Sequence, residues 1–281
     1  RRGRVGEVLD AITRHLDDAR PPTYYVASLP IAGALPGFAA DNDLGLAGLG
    51  VEAPPSIWIG NRVVASCHFD APENLAVCAV GRRRFTVFPP DQIDNLYIGP
   101  LDITPAGQPV SLVDPAAPDL ARFPRFVDAW ARAQVAELGP GDAVLIPSLW
   151  WHAIDALDGV NVLVNYWWRR APDWMDAPLN ALMAGLLAIR QLPAHERAHW
   201  KRMFEHYVFD ADDTTAVHIP ETARGVLAPF DEAGAANLRR VLRQRLERGL
   251  PPDQPMLSSI TSHSALAAAK RLMLIGWSIT Q

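Results

Sequence analysis

Cysteine is nearly absent from this chain: Cys67 and Cys78 are the only two in 281 residues. Two isolated thiols outside any CxxC pair exclude a disulfide framework and a Cys-rich zinc module, and they fit a reducing, cytoplasmic setting. An excess of basic charge is lacking too. Lys and Arg total 26 against 31 Asp and Glu, a formal charge of −5, which removes the general electrostatic grip that nucleic acid or an anionic membrane surface requires. No apolar run approaches the ~20 residues of a membrane span; the longest at helical spacing, Ala181 to Ile189, is interrupted by Gly185. No segment reads as a signal peptide, and the start at Arg1 rather than Met is consistent with residues lost upstream. Lysine is rare as such: Lys201 and Lys270 stand beside 24 Arg.

What is present is the composition of a folded protein. Hydrophobic residues make up 49% and charged residues 20%, which excludes disorder and collagen-like repeats. The length allows one large domain or two smaller ones. Of the nine Trp, four come as the pairs Trp150-Trp151 and Trp167-Trp168, a clustering that asks for a local cause.

Val5, Val8, Leu9, Ile12 and Leu16 recur at helical spacing and Pro21-Pro22 ends the run, so a helix is expected within residues 1–22. A short strand around Tyr24 to Ser28 and an irregular Gly/Pro-rich connection to Pro55 follow. From Ser56 to Trp168 the texture is β-rich runs between turn signals: Ser56 to Ile59, Arg62 to Asp70, Leu75 to Val80, Phe85 to Phe88, Val135 to Leu138, Ala143 to Ile146, His152 to Leu157 and Val160 to Trp168. Many short, regularly punctuated strands predict a jelly roll, with a helical excursion around Phe123, Phe126 and Trp130.

After Pro178 the period is helical again. One stripe runs through Leu179, Leu182, Met183, Leu186 and Leu187, a second through Trp200, Met203, Phe204, Tyr207 and Val208, a third through Leu238, Val241, Leu242 and Leu246, and a fourth through Leu266, Leu272 and Leu274. The expected organisation is mainly β with helical appendages: an N-terminal helix in 1–22, a β domain over 23–172 and a helical region over 173–281.

The chemistry concentrates in Ala65-Ser66-Cys67-His68-Phe69-Asp70. His68 and Asp70 lie two apart in a strand candidate, so both side chains leave the same face and reach one point. His152 opens another strand candidate and can complete the set. Two His and one carboxylate, with adjacent positions left open, form the ligand set of non-haem Fe(II) oxygenases. Taken alone, H-x-D is common, and two unrelated polar residues at strand edges are an equal reading of these three residues.

Their surroundings are more specific. His68-Phe69-Asp70-Ala71-Pro72-Glu73-Asn74, Gly81-Arg82-Arg83-Arg84-Phe85, Phe88-Pro89-Pro90-Asp91-Gln92, Leu96-Tyr97, Arg122-Phe123-Pro124, Pro140-Gly141-Asp142, Ile146-Pro147, Trp150-Trp151-His152 and Val164-Asn165-Tyr166-Trp167 follow in this order. Over about residues 24–170 the chain resembles the JmjC-like cupin family, in its cupin-8 group. The resemblance implies a double-stranded β-helix, Fe(II) as metal, 2-oxoglutarate as co-substrate and an oxygenase, in particular a hydroxylase of a protein side chain or small molecule. By position it implies His68, Asp70 and His152 as metal ligands. Asn74 and Asn165 fall where polar residues flank the co-substrate carboxylate at the metal, and Tyr25 where a tyrosine bonds the far carboxylate. Arg83 falls on the lysine that pairs with that far carboxylate, and Trp167 on an aromatic beside the second His. The family's C-terminal helices dimerise, which implies a possible homodimer here.

Two positions depart from the pattern. Arg83 replaces Lys, a swap that keeps the charge and adds bidentate geometry. Ala65 stands where family members carry Thr or Ser, so one hydrogen bond is missing unless Ser66 supplies it. Both departures also suit a second reading, a cupin barrel that binds a metal or ligand without turnover. Trp150-Trp151 and Trp167-Trp168 flank His152 and Asn165, so both pairs are expected to wall the metal site.

A different class is spelled by His195-Glu196-Arg197-Ala198-His199, the H-E-x-x-H of zinc peptidases. The extended motif is absent, since Arg202 and Glu205 occupy its Gly and third His positions, and these residues fit a polar helix face beside the Trp200 stripe. Cys67 points away from the His68 face by alternation, and Arg82 and Arg84 point away from Arg83. His15, His218 and His263 have no ligand-forming neighbours in sequence.

Overall fold

In the computed structural model the described residues are 4–104, 107–229 and 231–248. The chain forms two compact units, residues 1–170 and 171–281. The fourth C-terminal stripe, through Leu266, Leu272 and Leu274, lies outside the described residues.

The first unit opens with helix α1 (Val5–Arg14) and continues through β1 (Tyr25–Pro30), the single turns α2 (Ile31–Ala34) and α3 (Phe38–Asp41), β2 (Pro55–Gly60), β3 (Val64–Phe69), β4 (Glu73–Val80) and β5 (Arg83–Phe88). After a long excursion containing α4 (Phe126–Trp130) come β6 (Gln134–Leu138), β7 (Ala143–Ile146), β8 (Trp151–Ala156) and β9 (Asn161–Trp168). A five-stranded sheet in the order β1-β2-β9-β4-β7 faces a four-stranded sheet in the order β3-β8-β5-β6. All the pairings are antiparallel. This is the expected double-stranded β-helix, and each strand falls within a few residues of its sequence-predicted span.

Side-chain alternation sorts the strands into three apolar layers. On β9, Val162, Val164, Tyr166 and Trp168 leave one face and join Ile57, Ile59, Leu75 and Val77, over which α1 lays Val5, Val8, Leu9 and Ile12. Leu163 leaves the other face and joins Ala76, Cys78, Phe85, Leu138 and Ile146 between the sheets. The outer face of the smaller sheet buries Cys67, Phe88, Trp151 and Ala153 against Leu96, Val113, Phe123, Phe126 and Ala129 of the excursion. A sheet covered on both sides needs hydrophobic residues in both registers, which is why β9 reads as a nearly unbroken apolar run.

The β4–β5 corner positions Arg83. Gly81 turns there with φ +73°, and a Cβ at this position would stand 2.4 Å from the carbonyl oxygen of Val160 and 2.7 Å from Asn161 Oδ1. Only glycine suits both the left-handed backbone and the close approach.

The second unit contains α5 (Pro178–Ala188), α6 (Ala194–Phe204) and α7 (Glu232–Arg248), which carry most of the first three sequence stripes. A five-residue π-helical turn, Glu205–Phe209, extends α6 and takes up Tyr207 and Val208.

Gly81→Ala is expected to destabilise the β-helix by about 1–3 kcal/mol, the range for a residue forced into a disfavoured backbone region. Chemical denaturation measures this, and an unchanged midpoint contradicts the packing described for the corner.

Candidate metal centre and pocket

The site begins with an irregularity in β3. Its pairing with β8 runs Val64↔Asp155 and Ala65↔Ile154, then resumes at His68↔His152. Three steps along β3 match two along β8, which is a β-bulge. Ala65 and His68 are an odd number apart and would face opposite ways in a regular strand, yet both line one pocket. Ser66 is exposed within the bulge and Cys67 turns into the outer core. The hydroxyl missing at Ala65 is therefore not restored by Ser66, which is not among the pocket residues.

The bulge sets His68 opposite His152, with ring centroids 4.4 Å apart. His68 Nδ1 lies 2.7 Å from the Ser66 carbonyl and His152 Nδ1 lies 3.0 Å from the Trp150 carbonyl. A carbonyl oxygen only accepts, so each Nδ1 carries the proton and donates. In the neutral ring this leaves the Nε2 lone pair for a metal, the way metal-bound histidines are usually held. Asp70 Oδ2 is 3.6 Å from His152 Nε2. One ligand atom from each of the three residues lies within 4.8 Å of the others, and this is the one such cluster among the described residues.

Asp70 follows the end of β3 and is pinned through its backbone. The Leu149 N–H donates to the Asp70 carbonyl at 2.9 Å, and the neighbouring Ser148 hydroxyl donates to the Ala71 carbonyl at 2.6 Å. Leu149 makes this contact with φ +65°, an outlying conformation for a bulky residue of the kind that collects at functional sites.

Burial governs the titration of the cluster. It pushes the His152 imidazolium down to about 3, with His68 adding repulsion and the Trp150 carbonyl opposing. It raises the Asp70 carboxyl, against the attraction of His68 and a smaller effect of the Trp167 indole. Two imidazoles converging with a carboxylate that is costly to ionise in isolation suit a divalent cation, which supplies positive charge beside Asp70.

At the other end of the pocket lies Arg83, 5% exposed. It has no carboxylate partner among the described residues, and its Nε is buried without a hydrogen bond. Burial lowers its pKa while Tyr25 and Cys78 hold it up; the Tyr25 phenol is raised by burial and lowered by Arg83 in return. A buried guanidinium without a counter-charge is expensive, and a carboxylate from outside removes that cost with bidentate geometry. Ala65, Ala76, Ile154 and Leu163 give the pocket apolar sides. Along one wall Trp58 Nε1–H donates to Asn165 Oδ1 at 2.7 Å, and Asn165 Nδ2–H donates to Asn74 Oδ1 at 3.2 Å.

All eight sequence-predicted residues, Tyr25, His68, Asp70, Asn74, Arg83, His152, Asn165 and Trp167, line this pocket. The expectation for the Trp pairs needs correction. Only Trp167 of the four lines the pocket. Trp151 packs in the outer core with its ring 5.0 Å from Phe69, Trp168 faces the α1 layer and Trp150 packs against the inter-sheet core. Adjacent strand residues face opposite ways, so a Trp-Trp pair cannot place both rings on one wall. The second indole comes from Trp58, which the sequence reading missed. Its ring stands 5.8 Å from Trp167, edge to face, and 5.9 Å from Tyr25. The signal was available: Ile57 and Ile59 belong to the outer layer, so Trp58 between them turns inward. In the other unit, His195 and His199 are exposed on α6 and form no metal-ligating cluster with a third group among the described residues.

A double-stranded β-helix with two histidines and a carboxylate converging in its interior is the architecture of a cupin-like domain with a candidate metal site. Residues 1–174 match the Cupin-like domain family, and the chain belongs to it. Among curated proteins it is 32% identical over 148 residues to HSPB1-associated protein 1 of Rattus norvegicus, covering 50% of this chain and 30% of that protein. It is 33% identical over 128 residues to Lysine-specific demethylase JMJ31 of Arabidopsis thaliana, covering 43% and 23%, and 34% identical over 105 residues to tRNA wybutosine-synthesizing protein 5 of Danio rerio, covering 37% and 29%. The matched segment thus spans less than a third of each relative. No helix among the described residues is long and apolar enough to cross a membrane.

The His152 shift fixes a pH dependence for the metal-free protein. Its folded pKa is depressed, so the unfolded state binds the extra proton between the ordinary value of 6.5 and about 3. Stability from this residue is complete above that window and falls as pH drops through it, by up to about 1.4 kcal/mol per pH unit. Asp70, raised by burial, has the opposite sign: its contribution fades as pH rises through its folded pKa. Denaturation of wild type and His152→Asn across this range should show a flatter acid limb in the variant; identical slopes contradict the assignment.

Proposed function

We propose that this domain is an Fe(II)- and 2-oxoglutarate-dependent oxygenase acting as a hydroxylase, with a protein side chain or a small molecule as substrate. The observation that carries the reading is the pairing, in one pocket, of a convergent His68, Asp70 and His152 with the buried, unpaired Arg83. Neither feature alone selects this class. A metal triad suits many reactions, and a buried Arg suits any anion; a triad with a deep cationic counterpart suits a chelating dicarboxylate.

In this reading His68, Asp70 and His152 hold the iron, and Arg83 with the Tyr25 hydroxyl holds the far carboxylate of 2-oxoglutarate. Iron bound there supplies the activation of O2 that couples oxidative decarboxylation of 2-oxoglutarate to succinate and CO2 with hydroxylation of a substrate C–H bond. The protein's part is orientation and exclusion. The carbonyls of Ser66 and Trp150 hold both imidazoles as Nε2 ligands. Asn165, fixed by the Trp58 indole, aligns Asn74 beside the triad. Ala65, Ala76, Ile154 and Leu163 exclude water along the aliphatic stretch, which strengthens every charge interaction inside. The missing hydroxyl at position 65 leaves the guanidinium fork as the main anchor of the carboxylate.

Relatives named for lysine demethylation and for tRNA wybutosine synthesis support a protein or a nucleoside as substrate; the acidic balance of this chain disfavours an extended nucleic-acid surface.

Protein loaded with Fe(II) under anaerobic conditions and then given 2-oxoglutarate and O2 should form succinate and CO2 in equal amounts, slowly without the true substrate. His68→Ala should lose this by two orders of magnitude or more. A metal-loaded wild type that binds 2-oxoglutarate and never forms succinate identifies a non-catalytic binding module instead.

A further inference from the structure

Trp167 holds an unused donor. Its Nε1 is buried and has no hydrogen-bond partner of normal geometry, although an indole N–H in the interior usually finds one. The ring is fixed from two sides. Trp58 packs edge to face against it at 5.8 Å, and the β4–β9 register pairs Trp167 with Asn74. It lines the same pocket as Asp70, with its N–H toward that carboxyl but outside hydrogen-bond geometry.

Asp70 itself is half-constrained. Its main chain is clamped by Leu149, and one carboxylate oxygen, Oδ2, points toward His152 Nε2. A carboxylate has two oxygens and about four acceptor sites. If both oxygens were free to turn toward a metal, they would compete for the positions that the open side of the triad must keep vacant.

We propose that the Trp167 indole N–H is a positioning donor to Asp70: it takes the carboxylate oxygen that does not face the metal and holds Asp70 as a one-oxygen ligand. The inference rests on the reading of His68, Asp70 and His152 as a metal site and adds a residue to it. Trp167 acts through Asp70 and touches no reacting atom in this role. Hydrogen-bonded ligand carboxylates are a general device for tuning metal affinity, and losing the partner typically weakens binding 10–100-fold.

The test is metal affinity, measured by calorimetric titration of the metal-free full chain with Co(II), a spectroscopically visible probe for the iron site. Trp167→Phe keeps an aromatic ring against Trp58 and removes the donor; Trp167→His keeps a ring N–H. The expected result is Co(II) binding weakened 10–100-fold in the Phe variant and largely recovered in the His variant, with a changed Co(II) absorption envelope only in the former. Thermal unfolding without metal separates folding from positioning, and the two variants should melt alike. Wild-type affinity in Trp167→Phe, or equal losses in both variants, overturns the donor role. A wild type that fails to bind Co(II) overturns the metal-site reading itself, and with it this proposal.

Discussion

The register of β3 against β8 is the constraint on which the site depends. In a uniform antiparallel pair, Ala65 opposite Ile154 would put Cys67, not His68, opposite His152, and the imidazole would enter the outer core among Phe88, Leu96 and Trp151. One extra residue in the bulge reverses the facing of everything after it. His68 then meets His152, Asp70 arrives where the strand ends, and Cys67 fills an apolar position where burial drives its thiol up to about 12 and keeps it unreactive. The bulge also exposes the Ser66 carbonyl to His68 Nδ1, so the same backbone irregularity brings in the ring and fixes its tautomer.

From that register follows an electrostatic division of the pocket. One end gathers two imidazoles and a carboxylate that is costly to ionise alone, and the other a guanidinium that lacks an anion. The protein by itself leaves both ends unsatisfied: burial shifts His152, Asp70 and Arg83 against their charged forms. A cation at one end would favour the ionised Asp70 and leave His152 unprotonated, and a carboxylate at the other would favour the charged Arg83. The fold tolerates the expense because the three apolar layers around the pocket are continuous, and because Gly81 lets β5 turn tightly enough to aim Arg83 inward.

Much of this was legible in the sequence, for physical reasons that can be named. Strand limits were marked by turn signals such as Gly60-Asn61, Pro89-Pro90-Asp91 and Gly139-Pro140-Gly141-Asp142. Arg83 was separated from Arg82 and Arg84 by alternation, and these two indeed form surface ion pairs with Asp158 and Glu137. The bulge was not legible, since Ser66 and Cys67 carry no local signal for an extra residue; His68 and Asp70 were placed on a common face without it. The Trp pairs misled because nearness in sequence was read as nearness in space, while strand geometry separates neighbours onto opposite faces. Trp58 was overlooked for the converse reason: it lies in a different strand, more than a hundred residues from Trp167, and only the β2–β9 and β4–β9 pairings bring its wall together.

The central claim is that one pocket binds a ligand at both ends, at the metal triad and at Arg83. Titration of the Fe(II)-loaded protein without oxygen, with 2-oxoglutarate and separately with 2-oxopentanoate, tests it most directly. The second compound keeps the chelating 2-oxo acid and the chain length but carries a methyl group in place of the far carboxylate. Loss of a charge-assisted bond to Arg83, worth about 1.5–3 kcal/mol, predicts binding of 2-oxopentanoate weaker by about 10–150-fold, with the difference abolished in Arg83→Ala. Equal affinity for the two compounds in the wild-type protein would contradict the account.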